Sequence, residues 1–452
     1  MLKPKNRNPR ICTVLKAHFG AAPLHALVTA AREFPTTARL DLQSALDGVL
    51  SGPLAPAKFL GTHHAYGHDT TTFSHLMVDD EDASVLVAPL QYDEIDTGEL
   101  EPARCLRNAL WLCADQEMPF AVFLSRVRRF GDVGGMNIEI AVPPGERGLE
   151  LTRRLLQEIE RNVSQAGSYR GKVLSLEISD NYRGSISGVK VHRLKTVERD
   201  QVILPEKTLR LLERNVTSFV EQRSKLRDMQ LGIKKGLLFY GPPGTGKTHT
   251  IHYLASQMKG HTTLLITAEQ VALLDQYMQL ARFLQPAIVV LEDVDLIARA
   301  RTSMRNPCEE SLLNRLLNEM DGLREDAMVL FILTTNRPDQ LEEALTSRPG
   351  RIDQAIEFPL PDEEGRRKLL RLYSGGLTLS DGLIDYLIRK TGGGSGAFIK
   401  ELMRRSAQFL LESGEQTLTE THVESALDEM LFTGGSLNAK LLGFSKIPGF
   451  SS

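Results

Sequence analysis

The chain has 452 residues, room for two or three domains and at least one large core. Its 54 lysines and arginines nearly balance 57 aspartates and glutamates, a formal charge of −3, which argues against nucleic acid as a partner held by bulk charge. Cys12, Cys105, Cys113 and Cys308 form no C-x-x-C pair, which fits a reduced, cytoplasmic setting, and no apolar run approaches the roughly 18 residues that span a bilayer.

The basic start MLKPKNRNPRICTVLKAHFG is interrupted at Lys16 and His18 and reads as a mature N-terminus. Apolar spacing predicts helices over LHALVTAAREF (24–34) and LTRRLLQEIERNV (151–163). PFAVFLSRVRRF (119–130) and MNIEIAV (136–142) read as strands of a hairpin around GDVGG, and GKVLSLEIS (171–179) and GVKVHRL (188–194) as a second strand pair. Residues 1–195 are therefore expected to form an α+β domain, of one or two units. In GTHHAYGHDTTTFSH, His63, His64, His68 and His75 lack the spacing of a metal site and read as a polar loop. Trp111, the lone tryptophan, is expected in the core.

From residue 196 the pattern changes. Helix ERNVTSFVEQRSKL precedes the strands GLLFY, LLIT, AIVVL, MVLFILTT and QAIEF, with helices between most of them. That alternation predicts a parallel sheet flanked by helices over 196–360. Residues 361–432 read as about four helices, each starting at Asp, Ser or Thr, good N-caps. Residues 433–452 read as a flexible tail.

Two motifs carry chemistry. Strand GLLFY runs into Gly241, Pro242, Pro243, Gly244, Thr245, Gly246, Lys247 and Thr248, with His249 opening the next helix. This is G-x-x-x-x-G-K-[ST] between a strand and a helix. Its glycines let backbone N–H groups surround phosphate oxygens, and the helix N-terminus favours negative charge. Lys247 reaches the β- and γ-phosphates, and the Thr248 hydroxyl is a ligand for Mg²⁺. The second motif is IVVLEDVD (288–295), a buried strand that ends in carboxylates. Ligands gather at the carboxyl ends of parallel strands, so Glu292 is placed to hold the metal's water shell and Asp293 to orient an attacking water.

With both motifs present, the chain resembles the AAA ATPases of the FtsH, katanin, NSF and proteasomal ATPase clan over roughly residues 200–430. SLLNRLLNEMDGL (311–323), FILTTNRPDQLEEALTSRPGRID (331–353) and TGGGSGAFIKELMRRSA (391–407) extend the likeness. The resemblance implies a P-loop AAA+ α/β core with a C-terminal helical lid, ATP and Mg²⁺ as cofactors, and a homo-oligomeric ring, hexameric by preference. It implies that Asn336 is the sensor placing the lytic water. It also implies that Arg348 and Arg351 are fingers reaching a neighbouring protomer's nucleotide. Gly396 and Ala397 stand where other clades carry a sensor arginine. The usual Asp-x-Gly-Gly entry is replaced by RDQVILPE (199–206), so backbone near Val202 and Ile203 is expected at the adenine.

Three departures shape the functional reading. The family's carboxylate order is Asp then Glu, whereas here it is Glu292 then Asp293, a spelling similar to the Bcs-type AAA proteins. Threading motors carry an aromatic–hydrophobic–Gly pore loop, but TAEQVALLDQYMQLARFLQP (267–286) reads as one continuous helix entered through a Thr267–Gln270 capping box. Tyr277, its one pore candidate, reads as ordinary packing. The basic ARARTSMRNP (298–307) reads as a solvated loop, and no H-E-x-x-H follows the lid. The sequence therefore predicts an ATP-hydrolysing ring protein that remodels a protein partner chosen by residues 1–195. The alternatives are a nucleotide-switched scaffold with slow turnover and a nucleic-acid-directed ATPase.

Overall fold

The computed structural model describes residues 9–64, 70–80, 83–129, 132–165, 167–178, 186–295, 312–324, 326–340 and 351–433. These fall into two compact units, residues 1–170 with 174–192, and residues 171–173 with 193–452.

The first unit contains a six-stranded antiparallel sheet. Its strands are β1 (Val28–Phe34), β2 (Lys58–His63), β3 (Leu86–Ala88), β6 (Ala109–Asp115), β7 (Met118–Arg129) and β8 (Asp132–Val142), in the order β1-β8-β7-β6-β2-β3. β4 (Tyr92–Ile95) and β5 (Ala103–Leu106) pair separately, and β9 (Val173–Ile178) neighbours β10 (Ile186–His192). One face of the sheet buries Leu110, Leu112, Ala121, Phe123 and Ala141 against Ile11, Leu15 and Phe19 of helix Ile11–Phe19. The predicted β7–β8 hairpin is present, but Asp132–Gly135, expected in its turn, belong to β8 and pair with Arg129–Val127 across an irregular register; the helix at Glu146–Gln165 and a buried Trp111 are also present.

The helix predicted over 24–34 is not there. Leu24–Ala26 form a single 3₁₀ turn, and Val28–Phe34 pair residue for residue with β8 from Val142 to Met136. The apolar residues of this stretch satisfy both periodicities. Ladder hydrogen bonds along β8 outweigh the weak local helix preference.

In the second unit β11 (Lys235–Tyr240), β12 (Thr262–Ile266), β13 (Ala287–Leu291), β14 (Val329–Thr335) and β15 (Gln354–Glu357) run parallel in the order β12-β13-β14-β11-β15. β13 and β14 are buried along their whole lengths, as both-face coverage by helices requires. On one face Leu237, Phe239, Ile288, Val290, Leu330 and Ile332 pack with Leu212, Val216, Ile251 and Leu254 from helices Glu206–Asn215 and Lys247–Gln257 and the link after Asn215. The predicted helix over 213–226 is two helices, Glu206–Asn215 and Thr217–Asp228. They meet at Val216, whose backbone (φ −115°, ψ −76°) departs from the helical well while its side chain stays fully buried.

The interval 267–286 is also corrected. Its capping box forms, with Gln270 Oε1 accepting from Thr267 N at 3.2 Å, but Ala268–Leu273 are 3₁₀ before the α-helix Leu274–Phe283 begins. Tyr277 is fully buried. The lid is four helices, Glu363–Tyr373, Asp381–Lys390, Gly396–Ser413 and Glu420–Asp428. They close over Leu370, Leu387, Phe398, Ile399, Leu402 and Val423. Asp362, Ser380 and Ser395 cap their helices by accepting from Gly365 N, Leu383 N and Phe398 N. Residues 298–307, 434–452, Cys308 and His68 lie outside the described residues.

Candidate functional site

Strand register assembles the site. Tyr240 pairs with Thr335, and Leu291 with Leu333, so β11, β13 and β14 end on one rim. The next residues in each chain segment are Gly241, Glu292 and Asn336. Three stretches far apart in sequence thus meet because parallel strands share a direction.

The phosphate loop needs its glycines. Gly241 has φ 149°, and a Cβ there would lie 2.2 Å from Phe358 O. Gly244 has φ 77°, and its Cβ would lie 2.7 Å from Ser395 Oγ and 2.8 Å from Ala397 Cβ. Gly244 O also accepts from Ala397 N at 3.1 Å, so the start of lid helix Gly396–Ser413 rests on the loop. Thr245 Oγ1 donates to Pro242 O at 2.9 Å and pins the turn.

Lys247 opens helix Lys247–Gln257 and is 7% exposed. Its Nζ donates to Gly241 O at 2.8 Å and Pro242 O at 2.9 Å, curled into the loop whose phosphate it would meet. Burial pushes its pKa down to about 8, with Asp293 and Asp295 pulling the other way.

The two carboxylates divide their contacts. Glu292 Oε1 accepts from Thr248 Oγ1 at 2.9 Å. Asp293 turns the opposite way because its backbone is left-handed (φ 51°), a conformation Asp tolerates better than most residues. Its N–H donates to Thr334 Oγ1 at 3.0 Å, and its Oδ1 accepts from Asn336 Nδ2 at 2.9 Å. Asp295 is 4% exposed and fixes the neighbouring strand end by accepting from Thr335 Oγ1 at 2.9 Å and Asn336 N at 3.2 Å. Sequence reasoning missed Thr334, Thr335 and Asp295. The sole signal for Asp295 was a third acid close behind the first two.

A cleft of about 420 Å³ lies over the loop, a size suited to a small-molecule ligand. Its walls include Val202, Ile203, Pro243 to His249, Asp293, Asn336, Gly396 and Ala397. His249 Nε2 lies 3.2 Å from Gln201 O, beside the segment carrying Val202 and Ile203. Arg351 is elsewhere: its guanidinium donates to Asp321 and, at 3.4 Å, to Asn318 of helix Leu312–Asp321. Arg348 lies outside the described residues. The described residues contain no cluster of three or more His, Cys, Asp or Glu able to hold a metal. His75 Nδ1 instead accepts from Thr72 N at 3.0 Å and caps a short helix.

Residues 237–360 match the family model described as "ATPase family associated with various cellular activities (AAA)". The chain is similar to the proteasome-activating nucleotidase of Methanothermobacter thermautotrophicus, 30% identical over 259 residues, 54% of this chain and 63% of that one. It is similar to the ATP-dependent zinc metalloprotease FtsH of Thermus thermophilus, 31% identical over 233 residues, 48% of this chain and 37% of that one. It is also similar to the 26S proteasome regulatory subunit S10B homolog B of Arabidopsis thaliana, 33% identical over 200 residues, 41% of this chain and 50% of that one. The matches therefore span between about two fifths and two thirds of these relatives. Motif, strand order and family model converge: residues 237–360 form an AAA-family ATPase domain.

Proposed function

We propose that the chain hydrolyses ATP as a ring-forming AAA protein and uses the energy to remodel a protein partner. The observation that carries this reading is the split of the acidic pair, with Glu292 on Thr248 of the phosphate loop and Asp293 on Asn336. Thr248 and Glu292 bring a hydroxyl and a carboxylate oxygen 2.9 Å apart, an all-oxygen donor set that fits Mg²⁺. When bound, Mg²⁺ would offset charge on the β- and γ-phosphates.

Lys247 holds the triphosphate, and the glycine backbone from Gly241 to Gly246 surrounds it. Asp293 orients the water, and Asn336 fixes that carboxylate by its 2.9 Å hydrogen bond. The left-handed turn at Asp293 offsets the missing methylene by swinging the short side chain to the sensor. Val202 and Ile203 line the base end of the cleft. Arg348 and Arg351 act on the nucleotide of an adjoining protomer in a hexameric ring. Their delocalised charge suits the transition state.

Residues 1–195 choose the partner, 196–360 form the core and 361–432 the lid. Because the lid helix sits on Gly244, loss of the γ-phosphate is felt at Ala397 and passed to the lid. The Leu-Glu-Asp strand end and the buried Tyr277 favour Bcs-type handling of folded protein over threading. None of the helices in the described residues is long and apolar enough to cross a membrane, and the reading places the protein in the cytoplasm.

Steady-state ATP turnover of Asp293→Asn against wild type tests this. A loss of about 10²-fold or more, with nucleotide binding retained, is the expected result. A wild type that already turns over almost nothing, and a variant equal to it, would sink the motor reading and favour a nucleotide-switched scaffold.

A further inference from the structure

Lid helices Glu363–Tyr373 and Gly396–Ser413 supply one wall of the cleft over the phosphate loop. Gly365, Leu369 and Tyr373 line it from the first helix, and Gly396, Ala397 and Lys400 from the second, each set at the spacing of one helical face. Close approaches set their order along the wall. A Cβ on Gly365 would lie 3.9 Å from Ile203 Cγ2, at the base end. A Cβ on Gly396 would lie 3.7 Å from Leu369 Cδ1 and 3.3 Å from Gly244 O, at the loop. Tyr373 and Lys400 stand one helical turn beyond Leu369 and Gly396, and Lys400 is exposed, so this is the open side of the cleft.

Lys400 Nζ lies 5.9 Å from the ring centre of Tyr373, whose half-buried ring packs against the lid core. Lys400 makes no hydrogen bond or ion pair among the described residues. Other cations of the same two helices are tied down: Arg367 pairs with Asp385, Lys368 with Glu364, and Arg404 and Arg405 with Glu401. A helical side chain leans toward the N-terminus of its helix, so Lys400 leans back over Ala397, whose N–H donates to Gly244 O of the loop. Lys247 and the loop take the terminal phosphates, and Val202 and Ile203 take the base, so the stretch of nucleotide left for Lys400 is its midsection. The charged acceptor there is the α-phosphate, and an ammonium gains more from it than from neutral ribose hydroxyls.

We propose that Lys400 is a further nucleotide-binding cation, carried by the lid, which donates to the α-phosphate while the Tyr373 ring holds its ammonium over the cleft. The proposal rests on the ATP reading of the cleft and adds a contact to it. ATP and ADP share the α-phosphate, so Lys400 ties the lid to either nucleotide and does not tell them apart. The γ-phosphate is sensed separately, through Gly244 and Ala397.

Titration calorimetry of the full chain with Mg²⁺–ADP and with a non-hydrolysable Mg²⁺–ATP analogue tests this. Lys400→Met should weaken both about tenfold and by the same factor, and Lys400→Arg should stay within about threefold of wild type. The factor for 2′-deoxy-ADP should match that for ADP. Lys400 is exposed and unpaired, so the unfolding midpoint without nucleotide should move by no more than about 2 °C. If Lys400→Met binds both nucleotides as wild type does, the lysine is a solvated surface charge and the proposal fails. A loss confined to the ATP analogue would put Lys400 on the γ-phosphate, and a loss that vanishes with 2′-deoxy-ADP would put it on the ribose; either overturns the α-phosphate assignment. Wild type that bound neither nucleotide would instead overturn the ATP reading itself, and this contact with it.

Discussion

Lys247→Met should make the nucleotide-free protein more stable. The buried ammonium is held near pKa 8 rather than 10.5, so keeping its proton at neutral pH costs roughly 3 kcal/mol. Methionine removes that cost but leaves Gly241 O and Pro242 O without their donor, which returns about 1 kcal/mol each. The net gain is about 1 kcal/mol at pH 7, a rise of about 2–4 °C in the unfolding midpoint. The sign then reverses with pH. Between about 8 and 10.5 the folded wild type has shed this proton while the unfolded chain still holds it, so wild-type stability climbs relative to the variant. Calorimetry of both proteins at pH 7 and pH 10 without nucleotide reads the difference directly. Saturating ATP should invert the order at pH 7, since only wild type binds it tightly. A variant less stable than wild type at pH 7, or a gap that does not change by pH 10, would refute the reasoning.

Two further substitutions probe the site. Gly244→Ala places a Cβ 2.7 Å from Ser395 Oγ in a left-handed backbone, so the lid must move away. Titration with a fluorescent ATP analogue should show affinity reduced at least tenfold, with a lowered unfolding midpoint. Asn336→Ala removes the donor that fixes Asp293. Steady-state kinetics should show kcat reduced by about 10–100-fold with nucleotide affinity within about threefold of wild type.

The strand–loop–helix around Gly241 to Lys247 was legible because so tight a turn restricts residue types at consecutive positions, with Gly241, Gly244 and Gly246 all at positive φ. The parallel strands were legible because β13 is apolar throughout and β14 is apolar up to Thr334. Local patterns misled where distant pairing decided the outcome. Val28–Phe34 has no helix-breaking residue, and its register with β8 alone makes it a strand. Val216 carries no punctuating signal, yet the core divides the helix there. The left-handed turn at Asp293 was invisible, because nothing in the letters E-D announces a positive φ at a residue other than glycine. Arg223 on helix Thr217–Asp228 is 5% exposed, and its burial was unreadable for a similar reason: a charge on a helix reads as solvated until tertiary packing covers it.

ATP turnover per protomer, measured from nanomolar to tens of micromolar protein alongside sedimentation in Mg²⁺–ATP, tests the central claim most directly. If Arg351 or Arg348 completes a neighbour's site, turnover per protomer should rise steeply as rings form, and Arg351→Ala should lose on the order of 10³-fold of the assembled rate. A chain that stays monomeric across that range, or turns over ATP at one unvarying rate per protomer whether assembled or not, would contradict it.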